Sequence, residues 1–145
     1  MDASSLQIDG FPLSTFDKIR YSDTDRQGHV NNAVFANFLE TGRVEVLYNP
    51  QFPILTTGAS FVIASLNLAF LKEITWPGTV EIGTGIVKTG NSSIRIYQGL
   101  FQQNQLAATA ETVIVQVNAQ TGKGEPLTDL AKDTLKGWQM PNPFT

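Results

Sequence analysis

The sequence contains no cysteine and only one histidine, His29. The lack of cysteine excludes disulfides, thiolate nucleophiles and every cysteine-ligated zinc or iron–sulfur site. A single histidine likewise excludes a metal centre built from several histidines. We therefore expect a function that depends neither on a bound metal nor on a cofactor of the protein's own.

Positive charge and long apolar runs are also scarce. The chain has 10 Lys and Arg against 13 Asp and Glu, a formal net charge of -3, which provides no electrostatic footprint for DNA or RNA and no polybasic membrane anchor. No run approaches the roughly 18 apolar residues of a membrane span. Residues 1–14 lack the basic start and apolar stretch of a signal peptide. These absences predict a cytoplasmic protein that binds neither nucleic acid nor membrane and acts on a small molecule.

The length of 145 residues suits one compact domain. A domain of this size buries about two-thirds of the surface that its unfolded chain exposes, so it folds without disulfides or metals. We predict a single domain over residues 1–145, with a core at about 15–126 and a short helix and tail at 127–145.

A largely buried helix is predicted over residues 33–48, where apolar residues recur at helical spacing. It ends at Asn49-Pro50, because proline cannot continue the backbone hydrogen-bond ladder. A second, short helix is predicted over residues 129–138, followed by an irregular tail at 140–145. The residues that define the apolar spacing of the first helix are Phe35, Phe38, Leu39, Gly42 and Val46.

Alternating segments elsewhere predict five strands, at residues 15–21, 60–74, 79–88, 93–103 and 106–118. Their short, turn-rich links favour antiparallel hairpins, with residues 60–118 forming a four-strand meander. In its first strand we expect Val62, Ala64, Leu66, Leu68 and Phe70 to share one face. The fold class is therefore α+β, with a five-stranded antiparallel sheet wrapped around one long helix. Because five strands cover only part of that helix, we expect an obligate dimer, in which a second protomer extends the sheet or closes over the helix.

The polar segment at residues 21–32, just before the long helix, holds the most informative chemistry. It places a carboxylate, Asp25, and a glycine turn ahead of the helix start. The first amides of a helix have no intrahelical acceptor, so they can stabilise an oxygen that becomes negative during a reaction. Asp25 then faces that oxygen as a nucleophile or as the base that activates water. The candidate donors are the backbone amides of Asn32, Ala33 and Val34.

A site that consists of one carboxylate and the start of one helix is best suited to the hydrolysis of an acyl thioester. Esters and amides have poorer leaving groups, whereas a thiol with a pKa of about 8.5 departs nearly unassisted as thiolate. The chain also has no G-x-S-x-G elbow.

At this point the sequence resembles a known family, the hotdog-fold acyl-CoA thioesterases of the 4-hydroxybenzoyl-CoA thioesterase-like group. The resemblance spans about residues 16–126 and includes the Trp76-Pro77-Gly78 turn. It implies that the helix is central, that two protomers join their sheets edge to edge as a homodimer or homotetramer, and that the sites lie at their interface. The residues that carry the motif are Asp25, Gly28, His29, Val30, Asn31 and Asn32.

The resemblance also implies roles for individual residues. Asp25 is the catalytic carboxylate, and the Asn32 backbone amide polarises the carbonyl. His29 and Asn31 match the catalytic motif without one agreed role, and their polarity favours an aliphatic over an aromatic acyl group. Gly28 and Phe35 are candidate substrate contacts beside them, although Phe35 also suits core packing.

Further substrate contacts are expected from two other segments. Ser60, Phe61 and Val62, in a strand of the second protomer, are candidate neighbours of the acyl group. The hairpin at residues 88–95 offers cations, hydroxyls and turn amides for the phosphates or pantetheine of coenzyme A, which enters as part of the substrate. The alternative for this hairpin is an exposed polar turn. Its candidate residues are Lys88, Ser92, Ser93 and Arg95.

Several alternatives stay open at the level of sequence. Asp25 and His29 together also suit proton transfer at the α and β carbons, as in a hotdog hydratase or dehydratase. An acyl carrier protein can replace coenzyme A as the donor, and a non-enzymatic acyl-CoA-binding module needs the same pocket without turnover. Among nearby acids, we interpret Asp23 as structural and Glu40 as a residue of the solvated helix margin.

Overall fold

The computed structural model of the protein describes residues 6–143. It contains a five-stranded antiparallel sheet in the order β1-β3-β4-β5-β2 and a long helix packed on one face. The predicted α+β class, with the sheet curled around a central helix as in the hotdog fold, is therefore confirmed. The elements are β1 (Leu13–Lys18), α1 (Val34–Leu47), β2 (Ala59–Phe70), β3 (Thr79–Thr89), β4 (Ser93–Gln102), β5 (Gln105–Asn118) and α2 (Asp129–Lys136).

Helix α1 forms where the apolar spacing predicts it, within one residue at each end. All five residues of the predicted pattern are buried, as is one charged residue, Arg43. Gly42 permits the close approach of helix and sheet, because a Cβ there would lie 2.6 Å from both Gln98 Nε2 and Ile82 Cγ2. The Gln98 amide in turn donates to the Leu39 carbonyl at 2.9 Å. The middle of α1 is thereby held tightly against β3 and β4.

The position of β2 differs from the predicted meander. β2 does not pair with β3; it pairs with β5 and forms one edge of the sheet. The connection at residues 71–78 crosses the ends of β5 and β4 instead of making a hairpin. Along it, the Leu71 and Lys72 amides both donate to the Ala107 carbonyl, at 2.9 and 3.0 Å. Alternation of side chains predicts a strand but not its neighbour, which is why the hairpin prediction was wrong here.

A bulge changes the side-chain phase within β2. The pairing with β5 shifts between Ile63 and Ser65, so that Ile63 lies opposite Ile114 and Leu66 opposite Thr112. Because cross-strand partners share a face, Ile63 joins Leu66, Leu68 and Phe70 on the side of α1. The prediction that Val62 belongs to that face was wrong, since a strict period of two does not survive an inserted residue, here Ala64, which has no partner on β5.

Three predicted boundaries also move. The first strand ends at Lys18, and Tyr21 begins a short 3-10 turn, Tyr21–Asp23. β2 ends at Phe70 rather than 74, and α2 ends at Lys136 rather than 138. Residues 140–143 contain no helix or strand, as expected, but Met140 is buried. The rest of the predicted tail, 144–145, lies outside the described residues.

The edge strand β2 stays incompletely covered. The outer face of the sheet is packed by the N-terminal segment and by Met140, which cluster with Tyr97 and Phe101. On β2, however, Val62 is 44% exposed on the outer face, while Ile63 and Phe70 are 52% and 49% exposed on the helix side. None of the helices within residues 6–143 is both long and apolar enough to cross a membrane.

Candidate active site

A cavity of about 400 Å³ lies at the N-terminal end of α1, between the loop that precedes the helix and the end of β2. It brings together four of the predicted site residues with several that the sequence did not single out. Its polar lining comes from both sides of the cleft, and its apolar lining from the first turn of α1 and the last residues of β2. The lining residues are Asp25, Gln27, His29, Val30, Asn32, Phe35, Phe70, Leu71, Lys72 and Glu73.

The Asp25 carboxylate is held through one of its two oxygens. Asp25 Oδ1 accepts hydrogen bonds from the amides of Gln27, at 2.8 Å, and His29, at 3.2 Å. Gly28, with φ of 80°, supplies the left-handed backbone that closes this turn. Gly28 does not itself line the cavity. Oδ2 has no hydrogen-bond partner within residues 6–143, so the carboxylate is anchored by its own loop and presents a free oxygen at the cavity.

The start of α1 leaves one backbone donor free. The amide of Val34 donates to the Asn31 carbonyl at 2.9 Å, and that of Ala33 donates to Asn31 Oδ1 at 3.0 Å. The Asn32 amide has no acceptor in the described part of the chain. Of three predicted donors, Ala33 and Val34 are thus already occupied and only Asn32 is available.

Asn31 lies outside the cavity lining. Its side-chain oxygen accepts from the Ala33 amide and so caps the turn before α1. Its backbone amide donates to the Asp23 carbonyl at 2.8 Å. Asp23 is buried and accepts from the Arg20 amide and guanidinium, at 2.8 and 3.0 Å. This agrees with the interpretation of Asp23 as a structural residue.

His29 is paired with an acid that sequence spacing did not reveal. His29 Nε2 lies 3.1 Å from Glu73 Oε2. Glu73 follows β2, and its position is set by a rigid segment: the Val30 amide donates to the Ile74 carbonyl at 2.7 Å, and Ile74 is fully buried. Nothing in the local pattern around Glu73 marks it as a site residue, because only the crossing of residues 71–78 over the sheet end brings it to His29.

Two phenylalanines form the apolar side of the cavity. The ring of Phe35 packs edge-on against that of Phe70, with centroids 5.0 Å apart. Phe35 is buried and Phe70 is half-exposed, so Phe35 serves the core while Phe70 presents its ring to the cleft. Both roles suggested for Phe35, in packing and in the cavity wall, are consistent with this position.

The predicted acyl contacts of β2 lie elsewhere in the same chain. Phe61 is near the other end of the helix, where its ring centroid lies 6.0 Å from that of Tyr48. Ser60 and Val62 face the opposite side of the sheet from α1, by the register with β5. Their contact with the acyl group stays a prediction that concerns a second protomer. Glu40 is exposed and does not line the Asp25 cavity.

The predicted phosphate-binding hairpin divides into two parts. Lys88 lines a groove of about 570 Å³ together with Lys132 and Lys136 of α2. Arg95 is instead ion-paired with Glu111 on β5. Ser92 lies in the turn and Ser93 begins β4, and neither lines the groove.

This basic groove exists because the end of α2 docks on β3. The Ile86 amide donates to the Trp138 carbonyl, and the Met140 amide donates to the Ile86 carbonyl, both at 2.9 Å. The groove lies at the opposite end of the sheet from the Asp25 cavity. Within residues 6–143, no cluster of three or more His, Asp or Glu side chains is placed to hold a metal ion.

Comparison with known proteins places this arrangement in context. A family model described as the thioesterase-like superfamily matches residues 19–137. The sequence is 28% identical over 126 residues to the uncharacterized protein YsmA of Bacillus subtilis (strain 168), a match covering 85% of this chain and 86% of that protein.

Two solved structures are similar over nearly their whole length. One is a predicted thioesterase from Bacillus stearothermophilus, with a TM-score of 0.79, 28% identity, and coverage of 90% of this chain and 98% of that one. The other is a thioesterase from Thermus thermophilus, solved in complex with coenzyme A and zinc, with a TM-score of 0.76, 26% identity, and coverage of 90% and 96%.

Proposed function

Because this chain belongs to the thioesterase-like superfamily and is a thioester hydrolase, we propose that its substrate is an acyl-CoA and that Asp25 performs the hydrolysis. The observation that carries the proposal is the cavity shared by a free Asp25 oxygen and the free Asn32 amide. A carboxylate and an unpaired helix-start donor are the minimum equipment for attack on a thioester carbonyl.

In the proposed reaction the thioester carbonyl oxygen accepts a hydrogen bond from the Asn32 amide. This bond strengthens as the oxygen gains negative charge. Asp25 Oδ2 either takes a proton from the attacking water or attacks the carbonyl carbon to form an anhydride that water then hydrolyses. The thiolate leaves without an acid, because its pKa of about 8.5 makes it a good leaving group. Nothing in this scheme requires a metal or a cofactor.

Coenzyme A is favoured as the thiol carrier by the basic groove. Lys88, Lys132 and Lys136 line it in a chain whose net charge is -3, and no acidic residue belongs to its lining. Clustered lysines and free turn amides suit phosphate groups. The coenzyme A in the related Thermus thermophilus structure agrees with this substrate class.

We further propose that the working unit contains at least a homodimer formed by two β2 edges. β2 is twelve residues long, apolar on its helix-side face, and carries the exposed Val62 on its outer face, which is a hazard for an open edge unless another strand covers it. In a dimer with a two-fold axis the two β2 strands pair antiparallel, so the sheet of the partner runs in the opposite direction to that of this chain. The partner's Phe61 and basic groove therefore lie at the same end of the joined sheet as the Asp25 cavity of this chain.

The experiment that tests the proposal is a thiol-trapping assay over short, long, branched and aromatic acyl-CoAs. Release of free thiol from at least one class supports hydrolysis. A change in enoyl absorbance without thiol release indicates the hydratase alternative, and tight binding without either indicates a binding module. Parallel reactions with matched acyl carrier protein thioesters identify the preferred donor.

A further inference from the structure

Arg43 is a buried cation without a sufficient set of partners. It lies in the middle of α1, is only 5% exposed, and its Nη1 atom has no hydrogen-bond partner in the described part of the chain. Burial lowers the pKa of its guanidinium below the usual value. A buried charge is costly unless it is paired, because it loses its hydration without compensation. The fold therefore keeps a charge in a place where one chain does not satisfy it.

Glu40 precedes Arg43 by three residues and therefore lies on the same face of the helix. The two residues line the same cavity of about 180 Å³, which lies between α1 and β2 and is bordered by the exposed side chains of Val44 and Ile63. Glu40 and Arg43 nevertheless form no ion pair within residues 6–143. The exposed Glu40 carboxylate and the buried Arg43 guanidinium thus border one cavity beside β2. The Glu40 charge partly offsets the effect of burial on the Arg43 pKa, but it does not pair with the guanidinium.

Two ring contacts define how α1 lies along β2. Phe35 packs on Phe70, and Tyr48 packs on Phe61, so the helix and the strand run in opposite directions between these two points. Along the helix, Glu40 is five residues after Phe35 and Arg43 is five residues before Tyr48. The two charges are therefore placed symmetrically about the midpoint of the shared length of α1 and β2.

We propose that Glu40 and Arg43 form two reciprocal ion pairs across the two-fold axis of a β2–β2 dimer. A two-fold axis through the middle of the β2 edge sets the two α1 helices antiparallel and places Glu40 of one chain opposite the partner's Arg43. Contacts of this kind are what a two-fold interface requires, since any pair of residues that meets there meets twice. The occupant of the open edge is thus a second copy of this chain.

The two ion pairs would fix the register in which the two β2 strands pair. Backbone hydrogen bonds alone allow one strand to slide along the other, whereas such a slide would separate both ion pairs at once. A fixed register also sets which residues of the partner's β2 reach the Asp25 cavity. The inference rests on the homodimer of the proposed function and adds the contact that aligns it.

The test uses two charge reversals and their mixture. Glu40→Arg leaves two cations on each helix, and Arg43→Glu leaves two carboxylates. Each variant alone then opposes like charges across the axis, and we expect its dimer Kd to rise at least about a hundredfold. An equimolar mixture places cations opposite carboxylates and is expected to form a heterodimer with a Kd within about tenfold of the wild type. Analytical ultracentrifugation measures both without any substrate.

Controls separate this inference from folding and from the proposed function. Glu45→Arg reverses a charge on α1 outside the cavity and should keep the wild-type Kd. Circular dichroism monitors folding, and the two reversals are co-expressed with different tags in case Arg43→Glu does not fold alone. A monomeric wild type overturns the homodimer itself. Either variant dimerising like the wild type, or a mixture or co-expression that yields no heterodimer, overturns only the reciprocal ion pairs.

Discussion

His29 and Glu73 meet across the candidate active site, with His29 Nε2 3.1 Å from Glu73 Oε2. The two residues come from segments on opposite sides of the cavity, the loop before α1 and the connection after β2. The Glu73 carboxylate lies within ion-pair distance of Nε2 and constrains the imidazole ring from that side, while Nδ1 has no partner within residues 6–143. Because the Glu73 side chain is 68% exposed, we assign the value of the pair to orientation and not to stability.

Two substitutions of Glu73 therefore distinguish the effect of the His29 ring orientation from the effect of the Glu73 charge. Glu73→Ala removes the carboxylate beside His29 and is expected to lower kcat/KM about tenfold through loss of ring orientation. Glu73→Gln retains an acceptor oxygen and should recover most of that loss. Thermal unfolding should be nearly unchanged in both, since an exposed ion pair contributes about 0–1 kcal/mol. Equal kinetics for the alanine variant and the wild type would remove Glu73 from the site.

Asp25→Asn tests the proposed catalytic role of the carboxylate while preserving the loop. The asparagine Oδ1 can still accept from the Gln27 and His29 amides, so the turn should remain intact. The free oxygen loses its charge, and we expect turnover to fall about a thousandfold, in the range for loss of a general base. Thiol release and a thermal melt measure the two effects, with the exposed Asp9→Asn as the matched control. Near-full activity in the Asp25 variant would refute the assignment.

Oxygen-18 water distinguishes the two roles of Asp25. In a single turnover by the anhydride route, label enters the Asp25 side chain when water adds to the Asp25 carbonyl of the anhydride and the substrate carboxylate leaves with the former Asp25 oxygen. Direct attack by water places label only in the released acid. Mass spectrometry of the peptide that contains Asp25 reports which route operates.

The basic groove predicts a substrate-binding defect that depends on the nucleotide. The double variant Lys132→Gln and Lys136→Gln should raise KM for an acyl-CoA about three- to tenfold, with kcat unchanged and the difference reduced by salt. An acyl-pantetheine thioester lacks the nucleotide phosphates and should show the same KM with variant and wild type. Lys123→Gln, in an exposed turn, is the control. A KM increase for both substrates would argue against phosphate binding in this groove.

Gly42 predicts a stability effect at the helix–sheet contact. Gly42→Ala inserts a Cβ that would lie 2.6 Å from Gln98 Nε2 and 2.7 Å from Thr84 Oγ1, both buried. Overpacking costs about 1–3 kcal/mol and the helix propensity of alanine offsets about 1 kcal/mol of that, so we expect the free energy of unfolding to fall by up to about 2 kcal/mol. Urea denaturation measures it. Gly10→Ala, with nothing within 4 Å, should be nearly neutral; equal stability of the two variants would contradict the close-packing argument.

Local patterns in the sequence were sufficient for the elements and for part of the site. The spacing of Phe35, Phe38 and Val46 predicts α1, because a helix repeats its faces within a few residues. The segment from Asp25 to Asn32 is also predictable from local sequence, because its turn is closed by hydrogen bonds between residues of the segment itself. Asp25, His29, Asn32 and Phe35 accordingly line one cavity.

Non-local relationships decided the rest. Whether β2 pairs with β3 or β5 depends on contacts between distant segments, and alternation is identical in either case. Glu73 reaches His29 only because residues 71–78 cross the sheet end, and Lys132 joins Lys88 only because α2 docks on β3. A period of two or 3.6 residues reports which face of an element is buried, whereas the partner against which it is buried follows from packing of the whole chain.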